Sequence, residues 1–190
     1  MAKFFGNLNL VLVTGLVLAI ILIASFTSWT GENPAAIANA VLRWLHLFFG
    51  VMWIGLLYYL NFVQVPTMPK VPAELKKGVT GYIAPTVLFY FRWGAAFTVL
   101  TGLLLAWSYG ELTEALTLDP SARLIGIGMY LALIMAFNVW FIIWPNQKKV
   151  LGIVAADDAA KAKAAATAGI ASRLNVLLSI PMLLAMTNAH

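Results

Sequence analysis

Long apolar runs separated by short polar stretches dominate the chain, and they predict five membrane-spanning helices. A helix needs about 20 apolar residues to cross the hydrocarbon core of a bilayer. Five stretches are long enough, and they cover about residues 8–26, 41–64, 84–108, 123–144 and 172–190. The first run is longer than the core of a secretory signal, so we expect a retained helix. The predicted fold is all-α, with residues 1–190 forming a single membrane domain built as a five-helix bundle.

Two polar stretches predict how the helices are connected. VQVPTMPKVPAELKKG, after the second run, has three prolines within seven residues, and we expect it to be a loop. AADDAAKAKAAATAG, before the fifth run, is rich in alanine and ends at Gly169, so it predicts a short separate helix in solvent.

The charges of the connecting stretches predict the orientation in the membrane. One side carries nine basic residues: Lys3, Lys70, Lys76, Lys77, Lys148, Lys149, Lys161, Lys163 and Arg173. The other side carries two, Arg43 and Arg123. Because basic loops stay in the cytoplasm, we expect a cytoplasmic N-terminus and a periplasmic C-terminus in a bacterial inner membrane.

Composition narrows the chemistry that the chain can perform. Of its 190 residues 62% are hydrophobic and 10% charged, and the mean hydropathy is +0.90, as in integral membrane proteins. The absence of cysteine excludes disulfides, thiolate metal sites and covalent haem attachment. Nucleic-acid binding is not expected, since no basic cluster lies on a soluble module. The expected surroundings are a lipid bilayer and other membrane proteins.

A histidine at the head of the second run, in RWLHLFFGVMWIG, is the first candidate site residue. His46, Gly50 and Trp53 share one helical face, and Arg43 lies one turn earlier on it. A glycine one turn from a histidine leaves space beside the imidazole. That space can admit a flat macrocycle, or it can let another helix approach closely. The helical face alone favours close helix packing over a cofactor.

Depth in the membrane adds a second histidine to this site. In the predicted topology His46 lies about 5 Å below Arg43, and the fifth helix carries His190 about 24 Å across to the same outer side. Two imidazoles on different helices are a common way to bind haem b, and Arg43 and Arg123 could pair with its propionates. A site with one histidine is the alternative, with an open position or a methionine as second ligand: Met52, Met182 or Met186.

An arginine within the third run is the other residue whose placement in the membrane costs free energy. Arg92 lies about eight residues into the span, where an unpaired charge costs at least a few kcal/mol unless it pairs or snorkels. Candidate partners are side-chain amides near the same membrane face: Asn61, Gln64, Asn138 and Asn146. The alternative is contact with an anionic substrate or a quinone.

Several motifs resemble a known family. LRWLHLFFGVMWIGLLYY, FRWGAAFTVLTGLLL, NVWFIIWPNQKKV and SRLNVLLSIPMLLAMTNAH are similar in order and character to the membrane domain of bacterial membrane-bound urate oxidases (urate hydroxylases), in which a cytochrome c follows. The resemblance covers roughly residues 40–190. A weaker similarity, confined to the run around His46, extends to haem b-binding membrane protoporphyrinogen oxidases and copper-resistance membrane proteins.

This chain also departs from the urate oxidase pattern. It lacks the additional membrane segments between the third and fourth spans, and a CxxCH motif cannot occur in it. Leu174 and Gly94 replace a histidine and an acidic residue of the family. We therefore expect a membrane haem b-binding electron-transfer or accessory subunit rather than an independent oxidase, working with other membrane subunits or a periplasmic cytochrome. The alternatives are a cofactor-free structural subunit of a larger respiratory or oxygenase complex, and a urate-type oxidase.

Overall fold

The computed structural model describes residues 2–30 and 34–189, which are almost entirely helical and contain no β-strand. Five helices are long and apolar enough to cross a membrane, as the apolar runs predict. The candidate spans are Leu8–Ser25, Ala35–Lys70, Ala73–Ser108, Arg123–Val150 and Asp158–Asn188. The main α-helix of each is labelled in chain order: α1 (Leu8–Thr30), α2 (Pro34–Tyr58), α3 (Ala84–Ser108), α4 (Arg123–Phe137) and α5 (Asp158–Asn188). The chain divides into two compact units, Met1–Val41 and Leu42–His190.

The first unit consists of a short helical turn, Ala2–Phe5, followed by α1 and the start of α2. The Asn7 side chain accepts a hydrogen bond from the Leu10 amide at 3.2 Å and so caps the start of α1. The hydroxyls of Thr14 and Ser25 donate to backbone carbonyls one turn earlier, at 2.8 and 2.9 Å. With these two hydroxyls bonded within the helix, this part of α1 suits an apolar surrounding.

Three π-helical turns explain how the helices of the second unit tolerate proline. Each turn ends two residues before a proline: Tyr59–Gln64 before Pro66, Val79–Ile83 before Pro85, and Asn138–Ile143 before Pro145. Proline has no amide hydrogen, and its ring clashes with the carbonyl four residues earlier. A wider turn moves that carbonyl away, so the helix continues through the proline.

The predicted loop after the second span is therefore wrong over most of its length. Beyond α2 and its π turn the chain stays helical through Val65–Thr67 and a 3₁₀ turn, Met68–Lys70. The backbone becomes extended at Val71, where the helical path is interrupted. The next helix, Ala73–Gly78, leads through its own π turn into α3.

The alanine-rich stretch before the fifth span is helical, as predicted, but it does not form a separate helix. Residues 158–188 form one continuous helix, α5, and Gly169 lies inside it. The Asp157 carboxylate caps its start by accepting a hydrogen bond from the Ala160 amide at 2.7 Å. Because this alanine-rich stretch contains no helix breaker except Gly169, the helix of the span propagates through it.

The core of the second unit lies among α2, α3, α4 and α5. Seven large side chains there are essentially inaccessible: Leu57, Trp53, Phe91, Met135, Val139, Asn175 and Ser179. Close approach of α4 to its neighbours depends on glycine. A Cβ on Gly128 would lie 3.1 Å from Cβ of Ala185 on α5, and one on Gly126 would collide with the carbonyl oxygen of Ala115. Ala115 belongs to a short helix, Leu112–Leu116, between α3 and α4.

Candidate functional site

His46 lies between α2 and α3 and is hydrogen-bonded to the α3 backbone. Its Nδ1 is 2.9 Å from the carbonyl oxygen of Thr98 and 3.4 Å from Oγ1 of Thr101. A carbonyl oxygen can only accept a hydrogen bond, so Nδ1 carries the ring proton and donates a hydrogen bond to the Thr98 carbonyl. The other ring nitrogen, Nε2, is therefore the acceptor, and no described residue hydrogen-bonds to it.

The imidazole of His46 packs closely on Gly102 of α3. A Cβ on Gly102 would lie 2.7 Å from Cε1 of His46 and 3.1 Å from its Nδ1. The imidazole therefore rests on the bare backbone of α3. A Cβ on Gly50, one turn along α2, would meet only the Thr98 methyl, at 3.8 Å. The predicted role of Gly50 beside the imidazole stays a prediction.

Three residues of the predicted helical face, His46, Gly50 and Trp53, lie against α3. Trp53 is fully buried, and a Cβ on Gly94 would lie 3.3 Å from its backbone nitrogen. Two glycines of α3, eight residues apart, thus face two α2 residues seven residues apart. Gly102 was not among the predicted site residues.

The two arginines that are predicted to lie on the outer side have local partners. Arg43 donates to the hydroxyl of Tyr109, and its guanidinium carbon is 5.7 Å from the centroid of that ring. Arg123 donates through Nε to the carbonyl of Leu118 at 3.3 Å. Both arginines are exposed, and neither has a described contact with His46. Their proposed roles toward propionates stay predictions.

The loop before α4 contains an acidic residue outside the spans, Asp119, whose pKa is shifted by its hydrogen bonds. The Asp119 carboxylate accepts hydrogen bonds from the hydroxyl and the amide of Ser121, at 2.7 and 2.9 Å. These bonds stabilise the charged form and hold the pKa of Asp119 below its ordinary value. Arg123 adds a smaller attraction in the same direction.

None of the other predicted iron ligands has a described contact with His46. His190 lies outside the described residues. Met182 is buried in the core, and Met186 lies against α4, where its Cε would be 3.4 Å from a Cβ on Gly128. The described part of the chain holds no group of three or more His, Cys, Asp or Glu side chains that could bind a bare metal ion.

The chemistry of His46 would nevertheless suit a protein ligand to a haem iron. Histidines that bind a metal usually donate their second ring N–H to a carbonyl or carboxylate, which fixes the tautomer and leaves the other nitrogen free to bind. His46 has this arrangement through Thr98. Phe49 of α2 stacks on Phe97 of α3, with 4.9 Å between the ring centroids.

A network of buried amides and hydroxyls, which the sequence interpretation missed, connects α5 to the π turns. Asn138 donates to Asn175 at 2.9 Å, and Asn175 donates to the carbonyl of Met135 at 3.0 Å. Tyr58 and Ser179 hydroxyls lie 2.9 Å apart. Asn61 completes the set with a bond to Ser172 at 2.8 Å. One face of α5 thus supplies partners to Asn138, Tyr58 and Asn61.

Arg92 does not bond to the amides predicted for it. Asn61 and Asn138 bond as described above, and Asn146 donates to its own helix at Ile142. The guanidinium carbon of Arg92 instead lies 3.3 Å from the centroid of Trp144. Its Nη1 is one of three buried side-chain polar atoms that lack a described hydrogen-bond partner; the others are Nε1 of Trp53 and Oε1 of Gln64.

Five long apolar helices and a buried polar network that satisfies side chains within the bundle are consistent with a multi-pass α-helical membrane protein. Residues 113–190, which include α4 and α5, match the family model described as urate oxidase N-terminal. The resemblance predicted for residues 40–190 is thereby confirmed for this part and supports a relation to the urate oxidases. The match does not reach α2 and His46. No curated protein and no solved structure matches the chain.

Proposed function

We propose that this chain is a haem b-binding electron-transfer or accessory subunit of a bacterial inner membrane. The observation that carries the proposal is the hydrogen bond from Nδ1 of His46 to the Thr98 carbonyl, at 2.9 Å. It leaves Nε2 as an unpaired base beside an apolar helix interface, which is the form of histidine that binds iron. A haem bound there supplies one-electron redox chemistry.

The residues around His46 have defined tasks in this proposal. Thr98 holds the imidazole in one tautomer and orientation. Gly102 lets the ring approach α3, since any larger side chain would displace it. Arg43 and Arg123, on the predicted outer side, would neutralise carboxylates of the bound group, and His190 would be the second axial ligand. In the predicted orientation the site faces the periplasm, where a cytochrome or another membrane subunit would exchange electrons with it.

A reduced-minus-oxidised difference spectrum of the purified chain tests this proposal. We expect b-type bands in the natural sequence and their loss in His46→Ala. Gly50→Ala is the matched control, because a Cβ there meets only the Thr98 methyl, at 3.8 Å, and should leave the bands unchanged. A featureless spectrum from folded protein would contradict haem binding and favour a structural subunit, in which His46 simply ties α2 to α3.

A urate-type oxidase is the second candidate, and the family match over residues 113–190 is the observation that favours it. It predicts urate-dependent oxygen consumption, or urate-dependent reduction of an added cytochrome, by the purified chain. Folded, haem-loaded protein that shows neither activity would refute this candidate while leaving the electron-transfer proposal standing.

A further inference from the structure

The stacked pair Arg92 and Trp144 forms a cationic site between α3 and the helix Trp144–Val150, which follows the π turn at the end of α4. The guanidinium carbon is 3.3 Å from the Trp144 ring centroid and 6.0 Å from that of Trp140. Cation–π attraction of this kind orients the guanidinium but leaves its N–H groups in need of acceptors. No described residue accepts from Arg92, and its Nη1 is buried.

A second cation lies over the same indole. Lys148 follows Trp144 by one helical turn, and its Nζ is 5.9 Å from the ring centroid. Within residues 2–30 and 34–189 the one ion pair joins Lys161 to Asp158, so neither Arg92 nor Lys148 has a carboxylate partner. Two positive charges are thus held near one ring without a counter-charge from the described chain.

This arrangement has the chemistry of a phosphate site. A guanidinium offers a planar fork of donors that matches two phosphate oxygens, and an ammonium adds a point charge. Leaving the buried guanidinium N–H unpaired costs free energy, more for a charged group than for a neutral one. An anion bound from outside the chain would remove that cost.

Position favours a phosphate of the membrane itself. Trp144 lies at the end of the predicted fourth span, and indoles concentrate at the level of the lipid head groups. Stacking on that indole holds Arg92 at the same depth. The basic loops predict that this end of the bundle faces the cytoplasmic leaflet, where basic sites between helices bind anionic head groups. We propose that Arg92 and Lys148, with Trp144 as platform, bind a phosphate group, supplied by an anionic phospholipid of that leaflet.

Lipid retention by the full-length chain tests the site. The protein is purified in nanodiscs of phosphatidylcholine with a minor fraction of phosphatidylglycerol, and bound lipid is counted by native mass spectrometry. We expect selective retention of phosphatidylglycerol, weakened about fivefold in Arg92→Gln and in Lys148→Gln, the factor expected for each basic residue near an anionic lipid. Lys149→Gln removes the same charge from an exposed neighbour and should retain the lipid.

A parallel arm distinguishes the sources of phosphate. Inorganic phosphate is added to the protein in pure phosphatidylcholine discs. If it raises the thermal unfolding midpoint of the natural chain but not that of Lys148→Gln, the site binds free phosphate. Stabilisation by phosphatidylglycerol alone supports the lipid. The proposal would be overturned if Lys148→Gln and Lys149→Gln lost phosphatidylglycerol equally, or if neither phosphate source stabilised the natural chain. The second result would point to a carboxylate of a partner protein as the counter-charge. Lys148→Gln decides if Arg92→Gln does not fold.

Discussion

Replacing Asn175 by alanine should destabilise the bundle more than its size suggests. The Asn175 amide is fully buried and uses both of its polar ends. Its oxygen accepts from Asn138 at 2.9 Å, and its nitrogen donates to the Met135 carbonyl at 3.0 Å. Alanine removes both bonds and leaves the Asn138 amide buried without an acceptor.

The expected magnitude follows from these losses. A side-chain hydrogen bond inside a membrane bundle contributes about 0.6 kcal/mol on average and up to about 1.7. An unpaired buried donor costs about 1–3 kcal/mol. We therefore expect Asn175→Ala to lower the free energy of unfolding by roughly 2–3 kcal/mol. Asn138→Ala loses one of these bonds and should cost less, and the double variant should be about 1 kcal/mol more stable than the sum of the single losses predicts.

Unfolding by a denaturing detergent, followed by circular dichroism, measures these free energies. Asn188→Ala is the matched control on the same helix, because Asn188 is exposed and bonds to its own helix at Leu184. It should change stability by less than about 0.5 kcal/mol. The reasoning fails if Asn175→Ala costs no more than this control, or if the double variant is strictly additive.

Three further predictions concern glycines and one carboxylate. Gly126→Ala should lower the thermal unfolding midpoint, because its Cβ would collide with a backbone carbonyl, whereas Gly169→Ala, with open space, should leave it unchanged or raise it; equal effects would refute this. Gly102→Ala should reduce haem content while Gly50→Ala does not, and the reverse order would contradict the site geometry. The pKa of Asp119 is lowered in the folded chain, so the ionised carboxylate should stabilise the fold above about pH 4. That stabilisation should be lost as the pH falls through the lowered pKa. An unfolding free energy with the same pH dependence in Asp119→Asn would disprove this prediction.

The spans were predictable because the length of an apolar run is itself the physical requirement for crossing a bilayer. The ends of the helices were not. Prolines at 66 and 69 predict a break in a regular α-helix, but the π turn Tyr59–Gln64 absorbs the first of them. The choice between a break and a wider turn depends on which carbonyls find other partners, and that information is not local.

The candidate site was predictable along one helix and not across two. Helical periodicity correctly grouped His46 with Trp53, since spacing along a helix fixes a face. It could not identify Thr98 and Gly102, because the register between antiparallel helices depends on packing in space. The same reason hid the Asn138–Asn175 bond, whose partners are 37 residues apart.

The most direct test of whether Nε2 of His46 binds iron is to remove its side chain and to restore haem binding with free imidazole. We predict that purified natural chain shows b-type bands, that His46→Gly lacks them, and that added imidazole restores them by occupying the vacated position. Circular dichroism of His46→Gly verifies that the helices remain. Bands that persist unchanged in His46→Gly, or a natural chain that is folded and shows none, would contradict the account.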